Sequence, residues 1–360
     1  MAKATGLPWA DRKLLVCVGS GGVGKTTLAA AVALHEARAG RKVLCCTIDP
    51  ARRLADSLGL TTLSQTETEV ALRGRTGGRL FAMMLDLKRS WDELILAVAK
   101  RPEDAERVFQ NHYYQELSTS LAGSQEYAAL VKLYQLWKER DYDLVVLDTP
   151  PTVQALDFLE APDRVLDFLD NPAARLLLTP ALTAGKVGFK LLSFGSGTIL
   201  KNISRFAGMK TLQEVAGFML ELSTMYDEFK ERAAEVKRLL QSDDARFLLV
   251  TAPSGQSVDE GLHFAELLRA GGLNLGATVA NRVVAPIPEL GAQLKARLSS
   301  DLLGRTDQAL SDARIQRDNE QRQLARLQRA GLHPLQIPRL FGEVSDLGAL
   351  ERLGELLEAA

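Results

Sequence analysis

One segment constrains this chain more than anything else in it: Gly19-Ser20-Gly21-Gly22-Val23-Gly24-Lys25-Thr26-Thr27, which satisfies the pattern GxxxxGK[ST]. A short apolar run, Lys13 to Val18, leads into it, and Thr26 to Ala39, rich in alanine and leucine at helical spacing, leads out. The segment therefore reads as the turn between a strand and a helix. Its residue types suit a phosphate. Glycines let successive backbone N–H groups converge on anionic oxygens without a Cβ in the way, and a helix N-terminus adds partial positive charge. Lys25 would reach the β- and γ-phosphates of a nucleotide, and the Thr26 hydroxyl would ligate Mg²⁺. Gly40 stops the helix, and Lys42 to Ile48 (KVLCCTI) supplies a second strand, completing a βαβ unit by Asp49.

Further short apolar runs recur at Arg79 to Leu85, Asp143 to Leu147, Arg246 to Thr251, Leu275 to Ala280 and Leu335 to Ile337. Near-continuous apolar strands separated by helical stretches predict an α/β fold, a mostly parallel sheet covered by helices on both faces. Two helix-rich segments interrupt the alternation. They predict a discontinuous helical subdomain, 88–140 with 160–241, inserted in a nucleotide-hydrolase core made of 1–87, 141–159 and 242–360. In the second segment Leu212, Val215, Met219, Leu222, Met225 and Phe229 step by three or four residues, opposite Glu214, Glu221, Asp227 and Glu228. From Asn171 to Gln213 there is no acid, but there are Arg175, Lys186, Lys190, Lys201, Arg205 and Lys210. Asp307 to Arg329 and Leu347 to Leu357 read as two further helices.

Two more segments carry candidate chemistry. In Asp143 to Pro151, DLVVLDTPP, Asp148 ends an apolar strand as a metal-linked acid would, or serves as a strand-end cap. Asp49 and Asp56, in Asp49-Pro50-Ala51-Arg52-Arg53-Leu54-Ala55-Asp56, follow the second strand. Carboxylates there can approach Mg²⁺ or orient a water, while the plainer alternatives are a helix cap for Asp49 and a solvated helix residue for Asp56. A net charge of -1 gives no global reason to bind nucleic acid. The N-terminus has no signal-like apolar core and no apolar run reaches a membrane span, so a cytoplasmic protein without an integral membrane segment is expected. The three cysteines, Cys17, Cys45 and Cys46, fit a reducing compartment and buried packing.

At this point the residues carry a family resemblance. GGVGKTT, DPARRLAD and DTPPTVQALDFLEAPDRVLDFLD, followed by TAPSGQSVDEGLHFAELL, ATVANRV and IPRLFGEVSDLGALERL, resemble the ATPases of the arsenite-pump (ArsA) and Get-pathway tail-anchored-protein-targeting family. That family sits in the deviant-Walker-A class with MinD, ParA and the nitrogenase iron protein. The resemblance implies a Mg²⁺-dependent, dimeric ATPase switch whose nucleotide state moves the helical subdomain. It also implies residue roles: Lys25 and Asp56 in catalysis, Asp56 polarising the hydrolytic water; Thr26, Asp49 and Asp148 around Mg²⁺; and Thr149 to Thr152 as a second switch. Gly21, Gly22, Val23, Gly24, Lys25, Thr26 and Thr27 would hold the phosphates of ATP. Asn281 would meet the adenine edge or merely cap a strand, and Pro338 with Leu340 to Gly342 would line the base pocket.

Departures matter equally. The family's signature lysine, five residues before the P-loop lysine, is Ser20 here, and the His common in the second switch is Gln154. Slow turnover is one consequence; pairing with a lysine-bearing paralogue in a heterodimer rather than a homodimer is another. Convergent thiolates for arsenite and a C-x-x-C pair for zinc are both missing from the sequence. Two competing functions stand beside the switch: a chaperone-like carrier that holds hydrophobic membrane-protein segments with a weak ATPase, and a MinD- or ParA-like scaffold. The scaffold expects a basic terminal helix, whereas Leu347 to Ala360 carries Glu351, Glu355 and Glu358.

Overall fold

The computed structural model describes residues 6–49, 53–72, 74, 77–112, 114–115, 124–149, 160–164, 166–167, 225–291, 293, 297–340, 342, 344 and 346–359. In chain order the elements are β1 (Leu14–Gly19), α1 (Lys25–Arg38), β2 (Lys42–Thr47), α2 (Arg53–Ser57), β3 (Thr68–Val70), β4 (Arg79–Met84), α3 (Leu87–Val98), α4 (Pro102–Gln110) and α5 (Ser124–Glu139). There follow β5 (Leu144–Asp148), α6 (Tyr226–Gln241), β6 (Ala245–Thr251), α7 (Gly255–Ala270), β7 (Leu275–Val283), α8 (Ser300–Arg329), β8 (Leu335–Pro338) and α9 (Leu347–Ala359). Contacts divide the chain into two compact units, Met1–Met84 with Asp141–Ala155 and Leu240–Ala360, and Leu85–Arg140 with Leu156–Leu239.

The first unit is built on one sheet of order β3-β4-β2-β5-β1-β6-β7-β8. Its pairings are parallel except β3 with β4. This is the α/β architecture that the apolar runs predict. β1 and β5 are buried at every residue because they are central and covered on both faces, which is why they read as unbroken apolar sequence. α1 has neither glycine nor proline inside it and buries Leu28 to Leu34. It ends where Gly40, at φ 103°, adopts the left-handed conformation. α9 packs on α1 so closely that a Cβ on Gly354 would lie 2.9 Å from that of His35, and Arg38 pairs with Glu351 across the contact.

Three differences from the expected elements have physical reasons. β3 is three residues, Thr-Glu-Val, on the sheet edge, too short and polar to show a period. α8 starts seven residues before Asp307, capped by Ser299, whose side chain accepts from the Leu302 N–H. β7 continues three residues past Ala280 through a shift of register against β8. Cys17, Cys45 and Cys46 are free thiols, all buried, and burial pushes the Cys17 thiol far above its ordinary range.

In the second unit an aromatic cluster joins three helices. Trp91 of α3, Tyr127 of α5 and Phe229 of α6 pack with ring centroids 6.0 to 6.5 Å apart, and the Tyr127 hydroxyl donates to the Phe229 carbonyl at 2.9 Å. Lys132 donates to Glu93 at 2.7 Å, tying α5 to α3. Met225 and Phe229 are buried. Their predicted companions Leu212, Val215, Met219 and Leu222 lie outside the described residues, as do the basic stretch from Asn171 to Gln213 and residues 150–159 with Gln154. Among the described residues no helix is long and apolar enough to cross a membrane.

Candidate active site

The candidate residues gather at the carboxyl ends of the parallel strands of the first unit. In open α/β sheets ligands bind there, beside the strand from which the order runs off both ways, here β1. The loop from Gly19 to Gly24 owes its shape to three positive φ angles, at Gly19, Gly22 and Gly24. Gly19 cannot carry a side chain: a Cβ would fall 2.0 Å from the Val250 carbonyl oxygen of β6. Gly24, at φ 95°, is strained for any other residue, and a Cβ there would displace the Asn281 amide, whose nitrogen would lie 2.5 Å away. Gly21 and Gly22 are exposed, Val23 is buried, and Thr27 is half-buried in the first turn of α1. No side chain caps that helix, and no acid stands in its first turn, so its leading N–H groups are open to an anion.

Lys25 is only 7% exposed. Its ammonium donates to the carbonyls of Gly19 and Ser20, both at 2.9 Å, so it folds back across the loop. Burial lowers its pKa, and Asp148 nearby opposes that shift. Parallel pairing sets Asp148 beside Cys17 on one side and beside Thr47 on the other. Its Oδ2 accepts from the Thr26 hydroxyl at 2.8 Å and from the Thr47 hydroxyl at 3.1 Å. Burial pushes its carboxyl up to about 6, against the opposing pull of those two hydrogen bonds and of Lys25. Thr149 turns the other way, donating from its hydroxyl to the Cys17 carbonyl at 2.7 Å.

The other Asp148 oxygen, Oδ1, is buried and has no hydrogen-bond partner among the described residues. An orphaned carboxylate oxygen next to a threonine hydroxyl is a donor set that suits Mg²⁺, which takes oxygen ligands and keeps several waters. The residues present therefore fit the ion. Asp49 stands close by: its N–H donates to the Thr47 hydroxyl at 3.2 Å, and its carboxylate pairs with Arg53 at 3.4 Å. Asp56 lies on the exposed side of α2. Ser20, where the resemblance expects a lysine, is 5% exposed, and its hydroxyl is a second buried group at the site without a partner among the described residues.

From β7, Asn281 reaches the loop and donates from Nδ2 to the Val23 carbonyl at 2.8 Å. Pro338 ends β8 and pairs in register with Val283, which brings it to the same end of the sheet. Two participants lie in segments noted for other residues. Thr47 lies in the second strand, KVLCCTI, and parallel pairing makes it a hydrogen-bond donor to Asp148. Arg282 follows Asn281 and donates to the Gly22 carbonyl at 3.1 Å.

Known proteins resemble this chain along most of its length. ATPase GET3C of Arabidopsis thaliana is 25% identical over 365 residues, 96% of this chain and 82% of its own length. ATPase ARSA1 of Chlamydomonas reinhardtii is 25% identical over 293 residues, 76% of this chain and 35% of its own length. ATPase GET3 of Malassezia globosa is 31% identical over 150 residues, 42% of each chain. The chain thus spans less than half the length of the last two. The model of the anion-transporting ATPase (ArsA) family matches residues 12–302, and on that span this chain belongs to the family and is an ATPase.

Proposed function

We propose that this chain is a Mg²⁺-dependent ATP-hydrolysing switch that works as a dimer and couples nucleotide state to movement of a helical partner- or client-binding subdomain. The observation that carries the reading is Asp148: a buried carboxylate with one oxygen bonded by Thr26 and Thr47 and the other left over. When bound, Mg²⁺ would neutralise phosphate charge as the γ-phosphoryl group transfers. Thr26 and Asp148, with Asp49 beside them, would hold it. The N–H groups of the loop would cradle the phosphates, with Lys25 exchanging its two carbonyl partners for phosphate oxygens. Water would attack the γ-phosphorus, the bond to the bridging oxygen would break, and ADP would leave; Asp56 would orient the water. That step requires α2 to bring Asp56 in from its exposed position.

Asn281 keeps one amide hydrogen and one oxygen lone pair beyond its present bonds, enough to read an adenine edge, with Pro338 beside the base. Ser20 in place of lysine leaves the site short of one cation. A homodimer would then turn over slowly, and a heterodimer with a lysine-bearing paralogue faster. The sequence offers no convergent thiolates for arsenite, which favours a hydrophobic client over that ion as what the helical unit receives. The test is Asp56→Asn. It should keep ATP binding and lose most turnover, by about 10²-fold or more; unaltered turnover would remove Asp56 from the mechanism.

A further inference from the structure

At Arg282 the backbone departs from what its residue type favours. Arg282 has φ 62°, the one non-glycine residue in the left-handed region among the described residues. An arginine pays there for a Cβ set against the following carbonyl, and such strain persists where the surroundings fix it. The cause lies in the strand pairing. Ala280 pairs with Gln336 and Val283 with Pro338, so β7 holds one more residue than β8 between those pairs. This is a bulge, a device that bends a strand and re-aims a side chain.

The bulge aims two consecutive side chains at one turn of the glycine-rich loop. Asn281 donates to the Val23 carbonyl at 2.8 Å and, through its Oδ1, accepts from the Arg282 N–H at 2.9 Å. The Arg282 guanidinium donates to the Gly22 carbonyl at 3.1 Å. With Lys25 on the carbonyls of Gly19 and Ser20, three side chains hold four loop carbonyls. A tied carbonyl fixes the plane of its peptide, and with it the direction of the N–H on the opposite side of that peptide. Unlike Lys25 and Asn281, Arg282 is solvent-exposed and has no fold-filling duty.

We propose that Arg282 is a positioning residue for nucleotide capture: the bulge strains its backbone so that its side chain clamps Gly22 and presets the loop before ATP arrives. The inference rests on the ATP reading above. It requires that the clamp lower the cost of ordering the loop on binding, an effect on capture rather than on the chemical step.

The experiment compares Arg282→Ala, Arg282→Gly and Arg282→Lys with wild type in steady-state ATP hydrolysis, in titration with a fluorescent ATP analogue, and in thermal melting. Ala and Gly should both raise KM and the analogue Kd by about tenfold with kcat within about twofold, and Lys should recover part of the affinity. Gly, which accepts the left-handed backbone without strain, should melt at or above Ala while binding no better. A purely structural role predicts the opposite linkage, affinity returning with stability in the Gly variant, and that result would overturn the inference. So would wild-type KM in all three variants of an active wild type, an outcome that leaves the ATP reading intact. A wild type that neither binds the analogue nor hydrolyses ATP would overturn both.

Discussion

Two regions of the molecule, the nucleotide-loop end of the sheet and the aromatic cluster of the second unit, bury different kinds of matter. At the carboxyl ends of β1, β2, β5 and β7 the buried groups are polar: Lys25, Thr47, Asp148 and Asn281 are each bonded to a named partner, and Asp148 keeps an oxygen in reserve. In the second unit the buried side chains around Trp91, Tyr127 and Phe229 are aromatic or aliphatic, and the charges form pairs nearer the surface, such as Lys88 with Asp92 and Arg89 with Glu93. The first region is held by directional bonds to fixed backbone atoms, so a change there alters chemistry first. The second is held by volume, so a change there alters stability first.

The largest effect expected from this contrast is on stability. Phe229→Ala opens a hole against two rings and should cost about 3–5 kcal/mol in urea unfolding followed by tryptophan fluorescence. ATP-analogue affinity of the folded protein should stay within about twofold, because none of the atoms that hold the loop belongs to that cluster. A parallel loss of affinity would break the contrast. Lys25→Met tests the other side. Turnover should fall by about 10²–10³-fold, as when a preorganised donor to developing charge is removed. The melting temperature should hold or rise, since the variant removes an ammonium that burial already disfavours. Turnover within tenfold of wild type would mean that Lys25 only braces the loop.

How much of this could be read in advance follows the same division. The loop was legible because its glycines answer backbone demands: Gly19 lies against the Val250 carbonyl, and Gly22 and Gly24 hold positive φ angles. The central strands were legible because burial on both faces writes itself as unbroken apolar sequence. The roles of Thr47 and Arg282 were not. Thr47 acquires its role from lateral pairing of strands 101 positions apart, and Arg282 from a bulge fixed by β8, far downstream. Neither relation leaves a local period or motif. β3 escaped for a simpler reason, since three edge residues with one buried side chain carry no pattern. The aromatic cluster lay between these extremes: helical spacing marks Phe229 as apolar-facing, but not Trp91 or Tyr127 as what it faces.

The smallest effect is the most discriminating, because it should move stability and chemistry in opposite directions. Burial raises the Asp148 carboxyl from an ordinary 3.8 to about 6. Between those values the folded protein holds a proton that the unfolded chain has released, so stability falls as pH rises through the window and the cost is complete above it. Asp148→Asn has no proton to hold and should erase that slope. Relative to wild type it should gain roughly 1–3 kcal/mol on going from about pH 4 to about pH 8, as read from urea midpoints at the two pH values. Turnover at the higher pH should fall all the same, because an amide cannot offer the anionic oxygen that Oδ1 now presents. A variant less stable than wild type at both ends, with the slope intact, would show that the Thr26 and Thr47 bonds outweigh the buried charge. Asp148 would then be a strand-end brace of the same kind as the packed residues of the second unit, and the distinction between the two regions would lose its clearest case.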